Sequence, residues 1–316
     1  MRTDLAIIIP CRNDPRVIDC VASAGEGVEI VIVFNGSTSE FREWVVSQVP
    51  REVRTFVIDE ANLSLALECG SRAAHADWLL YMDSDCTFAP GAVDAFRRRM
   101  ERGRPDAEVY KGPVCFSPGR SWISRVIARS RQHHTADELT AYKPPLAVSR
   151  AILPKIGGSF FNPSIRWRED ADLDHRIRGA GIAIVDVRDG LIHHAALDLR
   201  TDLRSTFRYG SGEAMALLHG VRLTDVPRSV WTTLRSQGIA PALYMLFRNR
   251  VYTAGYLKGL LTTRSAGVRR MDAGHASELA RADGARIQRF GSDVSSAAIR
   301  TESASHDAAC VENASA

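Results

Sequence analysis

The stretch that decides the fold is Trp78-Leu79-Leu80-Tyr81-Met82-Asp83-Ser84-Asp85. Its apolar part is short enough to be one buried strand, and this strand ends abruptly in two carboxylates separated by one small residue. Side chains alternate in direction along an extended chain, so Asp83 and Asp85 are predicted to point to one side and Ser84 to the other. Two acids on one side repel each other unless a cation lies between them, which favours a divalent metal site. The alternative is a solvated turn that caps the next helix.

Strand-like and helix-like segments alternate along the chain from its start up to this stretch. The predicted strands are the apolar runs 5–10, 28–34, 53–58 and 78–82, and the predicted helices lie at 17–24, around 41–49 and at 63–74. This alternation predicts an α/β fold with a doubly wound, mostly parallel sheet that is covered on both faces. Ligands of such sheets bind at the carboxyl ends of the strands, where the two acids fall.

Composition limits the classes of function. The chain has 316 residues, of which 45% are hydrophobic and 25% charged, enough for one substantial core. The net charge of +4 is mild, so we expect no nucleic-acid partner. The cysteines form no C-x-x-C pair, and no apolar run reaches about 18 residues, so neither a zinc knuckle nor a membrane span is expected. Strand-like sequence at the start leaves no room for a signal peptide, and we expect a reduced, cytoplasmic protein.

A second acidic motif lies in the less regular half of the chain. A glycine pair at 156–160 precedes a predicted helix that carries Glu169 and Asp170 in its first turn and arginines near its end. Acids at the start of a helix and arginines at its end suit the helix dipole, so this charge bias has a purely structural explanation as well. Upstream, the proline-rich basic segment 113–145 is predicted to be a mobile loop that binds an acceptor.

Four motifs occur in a fixed order along residues 4–260. They are Ile7-Ile8-Ile9-Pro10-Cys11-Arg12-Asn13, the segment 29–39, the segment 62–85, and the glycine pair followed by Glu169-Asp170-x-Asp172-Leu173-x-x-Arg176. Together they resemble family 2 glycosyltransferases, which have the GT-A fold with C-terminal helices. The resemblance implies an inverting, hexosyltransferase-like enzyme that moves a sugar from a nucleotide-diphosphate sugar to an acceptor hydroxyl. The metal it implies is Mn²⁺ or Mg²⁺, and the acceptor is a glycan, a lipid-linked intermediate or a secondary metabolite.

The resemblance also implies a donor site in the first half of the chain. The residues expected to bind the nucleotide sugar are Pro10, Arg12, Asn35, Asp83 and Asp85. The chain departs from the family at two places, because Phe34-Asn35 replaces a pair of acids and Leu67-Glu68 replaces the Arg-Asn of many relatives. An Asn carbonyl can accept a hydrogen bond from the imide N–H of uracil or thymine, whereas its amide could serve cytosine or guanine. A UDP- or dTDP-sugar is the expected donor.

The resemblance implies that the catalytic residues lie in the second acidic motif, Glu169-Asp170. Asp170 is the predicted general base, which takes the proton of the acceptor hydroxyl as that hydroxyl attacks opposite the leaving group. Glu169 is the second candidate and would orient the acceptor. In many GT-A enzymes a histidine completes the metal site, so His193 or His194 is expected to join Asp83 and Asp85 as a ligand. The alternative is a pair of ordinary, half-exposed strand histidines.

Two basic features allow more than one interpretation. Arg200, Arg204 and Arg208 recur at every fourth position, so they form one helix face that is either solvated or holds a diphosphate or an anionic acceptor. The apolar segment 241–261 carries interspersed cations. It is expected either to pack against the catalytic domain or to lie on the inner face of the membrane as a peripheral contact.

The predicted organisation is a nucleotide-sugar-binding half at 1–110, an acceptor and catalytic half at 111–220, a helical segment at 221–262 and a disordered tail at 263–316. Two other classes match part of the pattern. A nucleotidyltransferase of related fold would need a glycine-rich loop after the first strand, and residues 10–15 contain no glycine. A non-catalytic sugar-binding relative would have no need of Asp83, Asp85 and Asp170 together.

Overall fold

The computed structural model describes residues 5–102, 107–135, 139–221, 230–265 and 288–289. The strands are β1 (Leu5–Cys11), β2 (Glu29–Asn35), β3 (Arg54–Ile58), β4 (Trp78–Tyr81), β5 (Cys86–Phe88), β6 (Val109–Lys111), β7 (Val114–Phe116), β8 (Leu146–Ser149), β9 (Ile184–Asp186), β10 (Ile192–His194) and β11 (Gln288–Arg289). The helices are α1 (Val17–Ser23), α2 (Ser39–Gln48), α3 (Leu63–Ala73), α4 (Ala92–Glu101), α5 (Trp122–Thr135), α6 (Glu169–Gly179), α7 (Leu199–Leu218), α8 (Val230–Gln237) and α9 (Ile239–Ser265), with a 3₁₀ helix at Arg150–Ile156.

The large sheet has the order β11-β3-β2-β1-β4-β8-β6-β9. Strands β1 to β4 are parallel to one another where they pair, while β8 runs antiparallel to both β4 and β6. Every residue of β1 is buried because helices cover both faces of the sheet, with Ile7 in the core on one face and Ile8 in the core on the other. The predicted α/β class with a mostly parallel sheet is therefore confirmed.

A small second sheet lies beside the first and has the order β5-β10-β7. Strand β10 runs antiparallel to β5 and parallel to β7. The segment 113–145 was expected to be a mobile loop. This expectation was wrong for residues 114–116 and 122–135, which form β7 and α5. Apolar residues at helical spacing, among them Val126 and Ile127, bury α5 against Tyr244 of α9.

The C-terminal helices α7 and α9 pack closely through small residues. A Cβ atom added to Gly210 would lie 2.0 Å from the Tyr252 carbonyl oxygen, and one added to Gly255 would lie 2.0 Å from the Phe207 carbonyl oxygen. The segment 241–261 thus packs against α7 with one face. No helix among the described residues is long and apolar enough to cross a bilayer.

The predicted tail is described only in part. Residues 263–265 extend α9, and β11 pairs antiparallel with β3 at the edge of the large sheet. The rest of the segment predicted to be disordered lies outside the described residues.

Candidate active site

The two acids after β4 border a cavity of about 520 Å³ at the carboxyl edge of the sheet. Asp83 and Asp85 both line it, whereas the Ser84 hydroxyl donates a hydrogen bond to Asp14 Oδ2 at 3.2 Å. Both acids thus face the cavity, while Ser84 is not among its lining residues. Asp14 is held in turn by Arg16, whose Nε and Nη2 each lie 2.8 Å from its carboxylate.

The structure brings His194, and not His193, to the acid pair. Strand β10 places His194 opposite Cys86, and its Nε2 lies 3.6 Å from Asp85 Oδ2. Its Nδ1 lies 2.8 Å from the Ala195 carbonyl oxygen. Since a carbonyl can only accept, Nδ1 carries a hydrogen, and Nε2 is the ring nitrogen left on the side of Asp85 to bind a metal. His193 is exposed and pairs in register with Thr87.

The donor set beside Asp85 fits a divalent cation. Ligand atoms of Asp85, Cys86 and His194 lie within 4.8 Å of one another. Burial raises the pKa of the Cys86 thiol well above its usual value, and its Sγ donates to Asp85 Oδ1 at 3.5 Å. A protonated thiol is a poor ligand, so the usable donors are one carboxylate and one imidazole. That pair suits Mn²⁺ better than Mg²⁺.

Lys143 is a site residue that the sequence did not reveal. Its Nζ lies 3.1 Å from Asp83 Oδ1 and 3.3 Å from Glu169 Oε1. Burial alone would lower the pKa of Lys143, but attraction to Asp83, Glu169 and Asp170 raises it above its usual range, so the side chain is an ammonium ion. The one available signal was a lysine followed by two prolines in the segment predicted to bind an acceptor.

Helix α6 fixes the position of the segment that carries Lys143. Asp174 accepts a hydrogen bond from the Ala141 backbone N–H at 2.7 Å, and Arg178 Nε donates to the other oxygen of Asp174 at 2.8 Å. Arg178 also donates to the Leu139 carbonyl oxygen at 2.9 Å. One helix therefore positions both the lysine and the acids at its own N-terminus.

Asp170 lines the same cavity as Asp83 and Asp85. Burial, followed by repulsion from Glu169, raises its pKa to about 7, while attraction to Lys143 and Arg168 opposes the rise. A carboxyl with a pKa near neutrality is suited to accept a proton at physiological pH. Glu169, in contrast, does not line the cavity and is paired with Lys143.

The turn before α6 packs against α7. Trp167 has a left-handed backbone conformation (φ 70°), and the Arg208 guanidinium lies 4.4 Å above its ring. Gly212 makes this contact possible, because a Cβ there would lie 2.4 Å from the Arg166 carbonyl oxygen. Left-handed non-glycine residues are uncommon and are concentrated at functional sites. Of the predicted arginine face, Arg208 is thus bound to Trp167 rather than fully solvated.

Other acids of the motifs hold the glycine-pair loop. Glu68 Oε2 accepts hydrogen bonds from the backbone N–H groups of Phe160 and Phe161, both at 3.0 Å. Arg176 pairs with Asp172 and donates to carbonyl oxygens of the loop 156–160. The departure at Leu67-Glu68 therefore has a structural role in this chain.

Three of the five residues predicted to bind the nucleotide sugar, Pro10, Arg12 and Asn35, do not line the cavity, whereas Asp83 and Asp85 do. Asn35 is buried, and its Oδ1 accepts a hydrogen bond from the Asn62 backbone N–H at 2.7 Å. Pro10 is buried at the end of β1, while Arg12 is exposed. Repulsion from Arg204 and Arg12 contributes, after burial, to lowering the pKa of Arg208, which places these three arginines in one electrostatic neighbourhood.

A mostly parallel sheet with paired carboxylates at the carboxyl end of a strand is typical of doubly wound α/β proteins that bind a ligand at that edge. Residues 6–152, just under half of the chain, match Glycosyl transferase family 2. This match confirms the predicted family and the enzyme class.

Similar solved structures include two glycosyltransferases. One is a mannosyltransferase from Pyrobaculum calidifontis in complex with GDP-Man and Mn²⁺, 17% identical over 90% of this chain and 80% of that chain, with a TM-score of 0.49. The other is glucosyl-3-phosphoglycerate synthase from Mycobacterium tuberculosis with Mn²⁺, UDP and glucosyl-3-phosphoglycerate, 20% identical over 72% of this chain and 83% of that chain, also with a TM-score of 0.49. At this distance the likeness does not transfer donor, metal or acceptor. No curated protein gives a significant match to the chain.

Proposed function

We propose that this enzyme is an inverting, divalent-metal-dependent glycosyltransferase that moves a sugar from a nucleotide-diphosphate sugar to an acceptor hydroxyl. The observation that carries the proposal is that one cavity is bordered by the pair Asp85–His194 and by the carboxyl of Asp170. A metal-binding pair and a group able to accept a proton thus face one space of a size that small ligands fill.

Asp85 and His194 would hold Mn²⁺ or Mg²⁺, with Asp83 beside them. When bound, the ion would supply stabilisation of the negative charge that develops on the leaving nucleoside diphosphate. Lys143 keeps Asp83 and Glu169 together, because its ammonium compensates both carboxylates in a buried site. Lys143 is in this respect a positioning residue.

Asp170 would act as the general base. Its carboxylate accepts the proton of the acceptor hydroxyl while that oxygen attacks the anomeric carbon from the side opposite the diphosphate. This direction of attack inverts the anomeric configuration. Glu169, which the sequence suggested for orienting the acceptor, would act through Lys143, since its side chain does not reach the cavity.

The donor is proposed to be a UDP- or dTDP-sugar. The Asn35 oxygen is already bonded to Asn62, and among the described residues its Nδ2 has no hydrogen-bond partner. The amide would therefore donate to a carbonyl oxygen of the base, a group that uracil and thymine share with cytosine and guanine, so the choice of a UDP- or dTDP-sugar rests on the family resemblance and not on this contact. Arg12 lies at the end of the neighbouring strand and would contact the ribose.

A peripheral membrane contact is proposed for the outer face of α9. Four of its exposed apolar residues, Leu243, Phe247, Leu257 and Leu261, lie on one side of the helix. Arg250 is exposed on that same side. An apolar stripe with an interspersed cation suits a helix lying in the interface of an anionic bilayer.

The test is metal-dependent binding and hydrolysis of a panel of nucleotide sugars by the purified protein. We expect turnover of a UDP- or dTDP-sugar only with Mn²⁺ or Mg²⁺. His194→Ala should raise the metal concentration needed for half-maximal activity at least about tenfold, as losing one ligand does in other sites. His193→Ala is the matched control and should behave as the wild type.

Two results would overturn the assignment. One is the failure of every nucleotide sugar to bind or turn over with either metal in the folded wild type. The other is a metal requirement that changes in His193→Ala and not in His194→Ala, which would remove His194 from the site. Equal melting temperatures (Tm) of the two variants show that neither result comes from unfolding.

A further inference from the structure

One wall of the cavity takes no part in the proposed transfer step. Helix α7 contributes Thr201, Ser205 and Tyr209, which recur at every fourth position and so share one face of the helix. Arg131 of α5 and Arg248 of α9 line the cavity as well. Hydroxyl groups beside guanidinium groups are typical of sites for carboxylates and phosphates.

The side chains behind this wall share one buried carboxylate, that of Asp202. Asp202 is fully buried and lies 2.6 Å from Arg131 Nε and 2.5 Å from Arg131 Nη2. It also accepts a hydrogen bond from the Tyr244 hydroxyl. Arg131 and Tyr244 thus occupy both oxygens of Asp202.

The positive charge of Arg248 is only weakly compensated by a carboxylate. Its Nε lies 3.6 Å from Asp202 Oδ2 and donates instead to Thr206 Oγ1 at 3.0 Å. Within the described part of the chain, Asp202 is the only carboxylate within 4.0 Å of Arg248, and the other guanidinium nitrogens bond to no described residue. Burial, followed by repulsion from Arg131, lowers the pKa of Arg248 to about 10. A buried cation without a full partner is costly unless an anion approaches it.

None of the described ion pairs or hydrogen bonds of Arg248 involves a proposed metal ligand. The largest electrostatic influences on its guanidinium come from Arg131, Asp202, Tyr244 and Tyr209. The donor diphosphate is expected at Asp85 and His194. An anion at Arg248 therefore belongs to the other substrate.

We propose that Arg248, together with Arg131 and the hydroxyl face of α7, forms an anion subsite, so that the acceptor is a hydroxylated molecule carrying a carboxylate or a phosphate group. This inference rests on the proposed glycosyl transfer, since it assigns the second substrate of the same cavity. The anion would anchor the acceptor while its hydroxyl faces Asp170, which also lines the space.

The experiment uses inorganic phosphate and acetate as probes on the metal-free full chain. Thermal unfolding is measured at constant ionic strength in the wild type, in Arg248→Gln and in Arg250→Gln. The last is the matched control, an exposed arginine on the same helix. We expect at least one probe at about 20 mM to raise the Tm of the wild type and of Arg250→Gln by about 2 °C or more. Arg248→Gln should weaken the apparent affinity at least about tenfold.

A second variant covers the case in which Arg248→Gln does not fold. Ser205→Glu leaves the contacts of Asp202 in place and adds a negative charge to the cavity wall, so it should abolish the effect of the probe. The subsite is refuted if neither probe stabilises the wild type, or if the stabilisation persists in both Arg248→Gln and Ser205→Glu. The probe that acts distinguishes a phosphate from a carboxylate.

Binding of UDP with Mn²⁺, measured on the same proteins, separates this inference from the proposed function. It should be unchanged in Arg248→Gln and Ser205→Glu. If UDP does not bind the wild type, the proposed function fails whatever the anions do. If Arg248→Gln weakens UDP as much as it weakens the probe, Arg248 serves the donor diphosphate and the acceptor subsite is wrong.

Discussion

The pKa of Asp170 is set by burial and by the charged groups around its carboxyl. Its carboxyl is surrounded by Glu169, which repels a second negative charge, and by Lys143 and Arg168, which attract it. Burial is the largest influence, and the resulting pKa is about 7. The raised pKa makes Asp170 suited to accept a proton. It also means that the ionised carboxylate of Asp170 destabilises the folded chain.

Asp170→Asn is expected to keep donor and metal binding but to lose transfer by about 10²- to 10⁴-fold, since the positioned base is gone. In the wild type, kcat/KM should fall as the pH drops below about 7, because the base becomes protonated. Steady-state rates between pH 5 and 9 test both statements. Asp94→Asn, an exposed acid on α4, is the control and should keep the wild-type profile. Loss of donor binding in Asp170→Asn would assign the residue to the donor instead.

Asp170→Asn should lower activity but raise the free energy of unfolding at alkaline pH. The folded-state pKa of Asp170 is raised to about 7 from an ordinary value of 3.8, so the protonated carboxyl stabilises the fold at low pH and this contribution is lost as the pH rises through 7. Asp170→Asn should therefore be more stable than the wild type at pH 8, by on the order of 1–4 kcal/mol, and equal to it near pH 4. Denaturant unfolding at both pH values measures this difference. A variant less stable at pH 8 would contradict the raised pKa.

At the level of secondary structure, the long, strongly patterned segments could be predicted from the sequence. Helix α3 was expected at 63–74 and spans Leu63–Ala73, because its apolar spacing and the Asn62 cap act within a few residues. The small sheet was not predictable, since β5, β7 and β10 have three residues each and pair over long distances in the chain. That sheet selects His194 over His193, so the metal site stayed ambiguous for the same reason.

Some charged residues of the site could be predicted from the sequence, and others could not. Asp83 and Asp85 were predicted because acids stand out at the end of a strand, and Asp170 because its motif resembles that of a known family. Lys143 reaches them only through long-range packing, in which Asp174 of α6 holds the Ala141 backbone. No local pattern in the sequence reports such a contact.

The contact between α7 and α9 supports a prediction on single glycines. Gly255→Ala would place a Cβ 2.0 Å from a backbone oxygen of Phe207, so the helices must separate. We expect a loss of about 2–4 kcal/mol in the free energy of unfolding, as for severe overpacking. Gly179→Ala is the matched control, because its Cβ would meet no atom within 4 Å, and it should be neutral or stabilising by up to about 1 kcal/mol. Equal effects of the two variants would mean that α7 and α9 do not pack in this way.

Across the whole molecule, α9 connects the cavity with the outer surface. Arg248 lines the cavity, whereas Leu243 and Phe247 are exposed on other sides of the helix, with 60% and 52% of their surface accessible. A helix that is apolar outside and cationic inside can hold the enzyme at a membrane surface while one of its arginines binds an anionic acceptor. Attachment and acceptor binding would then depend on different side chains of one element.

Vesicle sedimentation separates these two roles. The wild type should sediment with vesicles that contain anionic lipid and be released by high salt, because each cation near such a surface contributes about 1 kcal/mol, an attraction that salt screens. The double variant Leu243→Ser/Phe247→Ser should reduce the bound fraction at least about fivefold, since each large apolar side chain contributes about 1.5–3 kcal/mol when buried. Trp44→Ser removes an exposed aromatic side chain from α2 and is the control. Arg248→Gln should sediment like the wild type, because its side chain faces the cavity. A wild type that stays in the supernatant, or a Trp44→Ser variant that is released as fully as the double variant, would show that the outer face of α9 does not bind membranes.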